Sequence, residues 1–255
     1  MLLAIDIGNT NVTMGMYDAK KLLFTARLST DSTRTADQYA IDIKDVLNLH
    51  NQDVKKIDSC IIASVVPAVC SAVKHGVKLF CGVDAITLGP GVKTGLNIKI
   101  DNPAQLGADL AAGAVGALEK YPLPCAIIDM GTATTVSVLD KDGAFIGGII
   151  TAGVKLTLRA LAQNTAQLPS IDIEAPSSVI GTNTVDCMRS GLILGAASML
   201  DGIIERIENT IGEKINVVAT GGLSQEVVKN CKRKDIVYDE NLLLDGLLKI
   251  YEKNK

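Results

Sequence analysis

Residues 4–15 read AIDIGNTNVTMG and residues 127–138 read IIDMGTATTVSV. Each is an apolar run ending in Asp-x-Gly, then small polar residues, then a second apolar run. Setting Asp6 on Asp129, an offset of 129 − 6 = 123 residues, also sets Gly8 on Gly131 and Asn11 on Thr134. Solenoid repeats recur roughly every 20–50 residues, so self-similarity over half a chain indicates a duplicated domain.

The flanking pattern repeats as well. Strand-like runs at 2–7, 12–17 and 22–28 are matched by runs at 126–130, 135–139 and 144–150, after punctuation at 122–124. Between them the sequence predicts helices over 37–48, 67–79 and 107–118 and strands over 61–65 and 85–88. Helices follow near 155–164 and 184–211, then a strand at 216–220, Gly221–Gly222 and a helix from about Ser224. The fold class is α/β.

A strand that ends in Asp-x-Gly and turns back sharply suits phosphate chemistry. Glycine lets the backbone approach a ligand, so successive N–H groups can point at phosphate oxygens. The aspartate at the strand mouth can hold a cation directly or through water. Two such turns facing each other would grip a polyphosphate and its metal. Turn glycines and Asp-x-Gly are also ordinary hairpin chemistry. Two matched copies favour use, because an aspartate ending a buried apolar strand is costly without a partner.

Other classes are disfavoured. The 25 basic and 28 acidic residues are well mixed and leave a net charge of −3, which gives no reason to expect nucleic acid or an anionic membrane as partner. The uncharged stretch 144–154 carries Gly147, Gly148 and Gly153 and is too short to span a bilayer. No basic-then-apolar leader opens the sequence, so a cytoplasmic location is expected. The six cysteines form no CxxC pair and read as free thiols, and with two histidines a Cys/His zinc site is not expected. GPGVKTG at 89–95 lacks Walker A spacing, and neither GxGxxG after a strand nor GxSxG occurs. ATGGLSQ at 219–225 follows a strand and opens a helix, which suits an adenosine-contacting loop or an ordinary strand-to-helix turn.

Asp109, in NPAQLGADLAAG at 102–113, admits two readings. An acid in a first helical turn complements the helix dipole. A kinase, however, needs a carboxylate to accept a hydroxyl proton during in-line transfer, and Asp109 is the best-placed spare acid once Asp6 and Asp129 are given to cations.

These residues resemble the type III pantothenate kinases, of the actin/hexokinase-like ATPase superfamily, over nearly the whole length. DIGNTNVTMG and DMGTATTVSV are similar to that family's two phosphate motifs. SVVP at 64–67, GPGVKTGLNI at 89–98, NPAQLGAD at 102–109, IGTNT at 180–184, ATGGL at 219–223 and the closing 239–252 recur there too. The resemblance implies two duplicated actin-like (ribonuclease H-like) domains around a nucleotide cleft. Residues 1–118 would carry the first phosphate motif and the catalytic acid, and residues 119–255 the second motif, the adenosine loop and a dimer helix. It implies ATP-dependent phosphorylation of pantothenate to 4'-phosphopantothenate, the first step of coenzyme A biosynthesis, by a homodimer. Asp6, Ile7, Gly8, Asn9, Thr10, Asn11, Val12 and Thr13 would cradle ATP, with Asp6 near magnesium (Mg2+). Asp129 would hold a monovalent cation (K+ or NH4+) and Thr132 would touch ATP. Asp109 becomes the general base, and Gly107, Ala108, Asp109, Leu110 and Thr184 would line the pantothenate pocket.

Two departures bear on the substrate. Leu110 stands where family members usually carry Arg, and Ile100 where they usually carry Tyr; Thr182 and Arg189 also depart from the common Lys and Gln. An Arg would pair bidentately with the substrate carboxylate, and losing a charge-assisted hydrogen bond costs roughly 1.5–3 kcal/mol. Lys155, Arg159 and Arg189 are the candidate replacements. A kinase for another small hydroxy acid and a non-catalytic nucleotide-binding regulator are the alternatives, and retention of all three acids speaks for catalysis.

Overall fold

A computed structural model describes Met1–Lys255. The first half runs β1 (Leu2–Ile7), β2 (Asn11–Asp18), β3 (Lys21–Ser29), α1 (Ala36–Leu49), β4 (Ser59–Ser64), α2 (Pro67–Cys81), β5 (Ile86–Thr87), β6 (Asn97–Ile98) and α3 (Ala108–Lys120). The second runs β7 (Cys125–Met130), β8 (Ala133–Leu139), β9 (Ala144–Ala152), α4 (Val154–Asn164), α5 (Thr184–Arg189), α6 (Gly195–Ile211), β10 (Asn216–Thr220), α7 (Ser224–Val228), β11 (Val237–Tyr238) and α8 (Leu242–Asn254). Two units result. Unit 1 holds Met1–Leu96, Asp101–Glu119 and Asn241–Lys255; unit 2 holds Asn97–Ile100 and Lys120–Glu240.

In unit 1 the sheet order is β3-β2-β1-β4-β5, with β1–β3 antiparallel and β4 and β5 parallel to β1. Strand β1 is covered on both faces, which is why its sequence is an apolar run without alternation. Leu3, Ile5 and Ile7 pack against Tyr39, Ile43 and Leu47 of α1 and Val69, Val73 and Val77 of α2. Helix α1 starts at a capping box in which Thr35 Oγ1 accepts from Gln38 N and Gln38 Oε1 accepts from Thr35 N. Helix α2 starts on Pro67 and ends at Gly82, whose φ of 75° is the left-handed cap.

The opposite face of β1, with Leu2 and Ala4, meets Ala111, Ala112 and Val115 of α3 and Leu244, Leu247 and Leu248 of α8. Helices α3 and α8 run antiparallel so closely that a Cβ on Gly116 would meet the Leu242 carbonyl, and one on Gly246 the Ala112 carbonyl. Tyr17, fully buried, donates its hydroxyl to Asp245 Oδ1 at 2.8 Å. The sequence groups 119–255 together, whereas the last helix packs into unit 1. Burial of its leucines, about 1.5–3 kcal/mol each, holds it there.

In unit 2 the order is β11-β10-β7-β8-β9-β6. Read as β9-β8-β7-β10-β11 it repeats the unit 1 order, with β7–β9 antiparallel and β10 and β11 parallel to β7. This is the duplication expected from the motifs, in the actin-like form that the family resemblance implies. The sixth strand, β6, is an addition: it comes from the segment before α3 and pairs in parallel with β9. The region 184–211 is one continuous helix, with a π-helical segment at Ser190–Leu194 between α5 and α6. By length and composition Thr184–Ile211 could cross a membrane. Its Met188, Leu192, Ile193, Ala197, Leu200 and Ile204 are buried in the core of unit 2 with Ala126, Ile128 and Val217. All six cysteines are free thiols, and only Cys187 is exposed.

The repeat is shorter by one residue after the turn. Pairing of Ile7 with Val12 encloses 8–11, whereas pairing of Met130 with Thr134 encloses 131–133. Gly8 N donates to Asn11 O and Gly131 N to Ala133 O. The counterpart of Asn11 is therefore Ala133, not Thr134.

Candidate active site

Asp6 lies one residue from the end of β1, opposite Thr13 on β2 and Ala63 on β4. Side chains alternate along a strand, so Asp6 shares the face of Leu2 and Ala4, the face that α3 covers. Past buried Ile7 the turn opens: Asn9, Thr10 and Asn11 are exposed, and Val12 is buried again. This places the turn at the carboxyl ends of parallel strands β1 and β4, where open α/β sheets bind ligands. Thr30 braces it from beyond β3. Its Oγ1 donates to Gly8 O at 2.7 Å and its N–H to Thr10 O at 2.9 Å. The next residue is itself anchored, since Asp31 N donates to the hydroxyl of buried Tyr39 at 3.0 Å. No local signal in the sequence marks Thr30 as part of the turn.

Asp109 is the second residue of α3 and is half-buried. Its Oδ1 accepts from Leu110 N at 2.8 Å, and Ala111 N donates to Gly107 O at 3.0 Å. A Cβ on Gly107 would lie 2.5 Å from Asp109 Oδ1, with every other atom at 3.7 Å or beyond. Glycine here is what leaves room for the carboxylate. Because Ala111, Ala112 and Val115 seat α3 over Leu2 and Ala4, unit 1 brings Asp6 and Asp109 to one side of its sheet. Ala108 and Leu110 are half-buried beside the acid.

In unit 2, Asp129 holds the matching place on β7, opposite Thr135 on β8 and Thr220 on β10. Gly131 and Thr132 are exposed. Two glycines that the motif reading did not single out as site residues close on this turn. Gly153, the residue before α4, donates its N–H to Thr132 O at 3.0 Å, and a Cβ on it would collide with Gly131 O. Gly221, at φ 93°, lies where a Cβ would be 2.7 Å from Asp129 Oδ1 and from the Met130 backbone. ATGGL is thus packed onto the second acidic turn, beyond a mere link to α7. Thr184 is exposed at the start of α5, behind the cap in which Asn183 Oδ1 accepts from Asp186 N.

The proposed replacement cations differ in availability. Arg189 bonds Asp172 O and pairs with Glu174 at 2.7 Å, so its charge is engaged. Lys155 and Arg159 are exposed and four residues apart on one face of α4. No group of three or more His, Cys, Asp and Glu side chains comes together. The protein offers separate carboxylates and no ready-made cage. Such a donor set fits a magnesium that arrives with nucleotide phosphates, since magnesium is commonly held by one or two carboxylates plus phosphate oxygens.

The likenesses to known proteins agree with this geometry. Residues 2–206 match the family model described as type III pantothenate kinase. A type III pantothenate kinase of an Exiguobacterium species is 40% identical over 255 residues, covering all of both chains. One of Bifidobacterium animalis subsp. lactis is 41% identical over 254 residues, again covering all of both. The fold is similar to that of the activator of 2-hydroxyisocaproyl-CoA dehydratase from Clostridium difficile, solved with bound ADPNP, at a TM-score of 0.58 and 15% identity over 98% of this chain and 93% of that one. Twin 3-2-1-4-5 sheets, an acid one residue from the end of the first strand of each, and this full-length similarity point one way: the chain belongs to the type III pantothenate kinase family.

Proposed function

We propose that this protein transfers the γ-phosphoryl group of ATP to the primary hydroxyl of pantothenate, and that Asp109 is the general base. The observation that carries the assignment of roles is the shared face of Asp6 and Asp109 in unit 1 of a chain from this family. The exposed turn from Asp6 to Thr13 receives the phosphates. Asp109 accepts the hydroxyl proton while the hydroxyl oxygen attacks, and its Oδ1, fixed by Leu110 N–H, leaves Oδ2 for that proton. Gly107 to Leu110 and Thr184 line the pantothenate pocket, Thr132 touches ATP, and ATGGL contacts the adenosine. When bound, magnesium at Asp6 and a monovalent cation at Asp129 supply positive charge to the β- and γ-phosphates. The protein works as a homodimer in the cytoplasm. With Leu110 in place of Arg, the substrate carboxylate is held by another cation, for which Lys155 and Arg159 are exposed whereas Arg189 is engaged.

The test is a coupled ADP-release assay with ATP, magnesium and pantothenate, in potassium and then in sodium, on wild type and Asp109→Asn. Pantothenate-dependent turnover that rises with potassium and nearly vanishes in D109N is expected. Wild-type turnover by D109N would remove Asp109 as the base, and no turnover at saturating pantothenate in folded protein would show that Ile100 and Leu110 have changed the substrate.

A further inference from the structure

The acid near the end of β7 has different neighbours from its counterpart in unit 1. Asp6 stands between Thr13 on β2 and Ala63 on β4, whereas Asp129 stands between Thr135 on β8 and Thr220 on β10. Residues directly opposite on paired strands point to the same face, with Cβ atoms about 4.5–5.5 Å apart in an antiparallel pair. One carboxylate and two threonines thus share one patch of the unit 2 sheet, all within that unit. Backbone packs against the same carboxylate. A Cβ on Gly221 would lie 2.7 Å from Asp129 Oδ1, and one on Gly131 3.9 Å from it. Thr220 is buried, and its carbonyl accepts from the hydroxyl of buried Ser224.

Thr135 is the member that the fold does not explain. Its Oγ1 is buried and has no hydrogen-bond partner within the protein. Valine has the same shape and an equal liking for strands, and a buried hydroxyl left unmatched is costly. We propose that Thr135 Oγ1 is a ligand of the monovalent cation assigned to Asp129. This deepens the reading of Asp129 as a cation site and rests on it. Carboxylate and hydroxyl oxygens are donors of the kind that hard cations take. A single carboxylate balances one positive charge, and hydroxyls add coordination without adding charge. A divalent ion in the same partly buried seat would keep an unbalanced charge, which burial penalises. No cluster of three or more acidic, His or Cys side chains is present to balance it. At Asp6 the place of Thr220 is taken by Ala63, whose side chain offers no oxygen.

Wild type, Thr135→Val, Thr135→Ser and Asp129→Asn are compared by thermal unfolding, with magnesium and the ATP analogue ADPNP present, as potassium chloride replaces tetramethylammonium chloride at fixed ionic strength. Potassium is expected to raise the wild-type midpoint and not that of Asp129→Asn. Thr135→Val is expected to melt at or above wild type without potassium, because an orphaned hydroxyl is gone. It is also expected to need about tenfold more potassium for half of the shift. Thr135→Ser, which keeps the oxygen, is expected to respond like wild type. A wild-type response in Thr135→Val, beside none in Asp129→Asn, overturns the role of Thr135 alone. So does a Thr135→Ser response no better than that of Thr135→Val. A Thr135→Val midpoint below wild type without potassium overturns it in favour of a hydroxyl bonded within the fold. A shift absent from wild type, or unchanged in Asp129→Asn, removes the cation from Asp129, and this inference with it.

Discussion

Gly107→Ala separates the placement of the candidate base from the stability of the fold. The added Cβ would lie 2.5 Å from Asp109 Oδ1, while contacts of 3.4 Å and above are ordinary. The carboxylate must therefore retreat by about 0.9 Å, the difference of those two distances, or rotate away from Leu110 N. Nothing else is crowded, since the next atoms are 3.7 Å away, and Gly107 does not occupy the left-handed region. Removing a glycine from a compatible position lowers unfolded-chain entropy and stabilises by about 0.4–1 kcal/mol. Displacement of a reacting group by nearly 1 Å costs up to about a hundredfold in rate. The variant should melt at or slightly above the wild-type temperature and yet lose about ten- to a hundredfold in kcat. Circular dichroism melting and the coupled ADP-release assay read the two halves. A variant with wild-type kcat would refute the reasoning, because the carboxylate would then tolerate the displacement that the geometry forces on it.

The other expectations are simpler. Gly221→Ala is strained twice, by a φ of 93° and by a Cβ 2.7 Å from Asp129 Oδ1 and the Met130 backbone. It should cost about 1–2 kcal/mol from the backbone alone, and potassium titration of the residual activity should show a weakened response; unchanged stability and unchanged response would count against the packing. Glu208, buried on α6, takes bonds from Lys214, Arg233 NH1 and Ile215 N, which outweigh burial and hold its pKa at about 2 against 4.5. A lowered folded pKa gives stability that is complete above 4.5 and lost as pH falls toward 2. Discounted for the exposed Lys214, Glu208→Gln should cost about 1–2 kcal/mol near neutral pH by urea unfolding, with the gap closing in acid; a gap independent of pH would sink the assignment.

How much of this could be read from the sequence depends on how local the cause is. The two acidic turns were legible because an apolar run, Asp-x-Gly and a second run contain their own geometry. Helices α1 and α2 announce their starts with Thr35 and Pro67. Strands β6 and β11 carry no such mark: each has two residues, defined by partners on β9 and β10 and by nothing in its own composition. The placement of α8 was hidden for a related reason. Its leucine face would suit either sheet, and the choice is made by contacts with α3 at Gly116 and Gly246, more than a hundred residues earlier in one case. Asp109 could be singled out as a spare acid, but the role of Gly107 in making room for it is a distance, and distances are not written in spacing.

The duplication gives two equivalent positions for an aspartate, and the structure shows how they diverged around that common frame. The first turn encloses one more residue and is braced by polar groups, Thr30 on Gly8 and Thr10, with Tyr39 behind Asp31. That leaves Asn9, Thr10 and Asn11 exposed for the phosphate contacts proposed for them. The second turn is one residue shorter and is closed by backbone approach, with Gly153 on Thr132 and Gly221 against Asp129. Its carboxylate sits in a tighter frame, in keeping with the small cation proposed for it. Because α3 lies over unit 1, the spare acid Asp109 joins the first turn's side of that sheet, where the proposed transfer needs it. One turn, repeated and then differently supported, thus accounts for the unequal tasks proposed for the two acids without requiring a new motif for either.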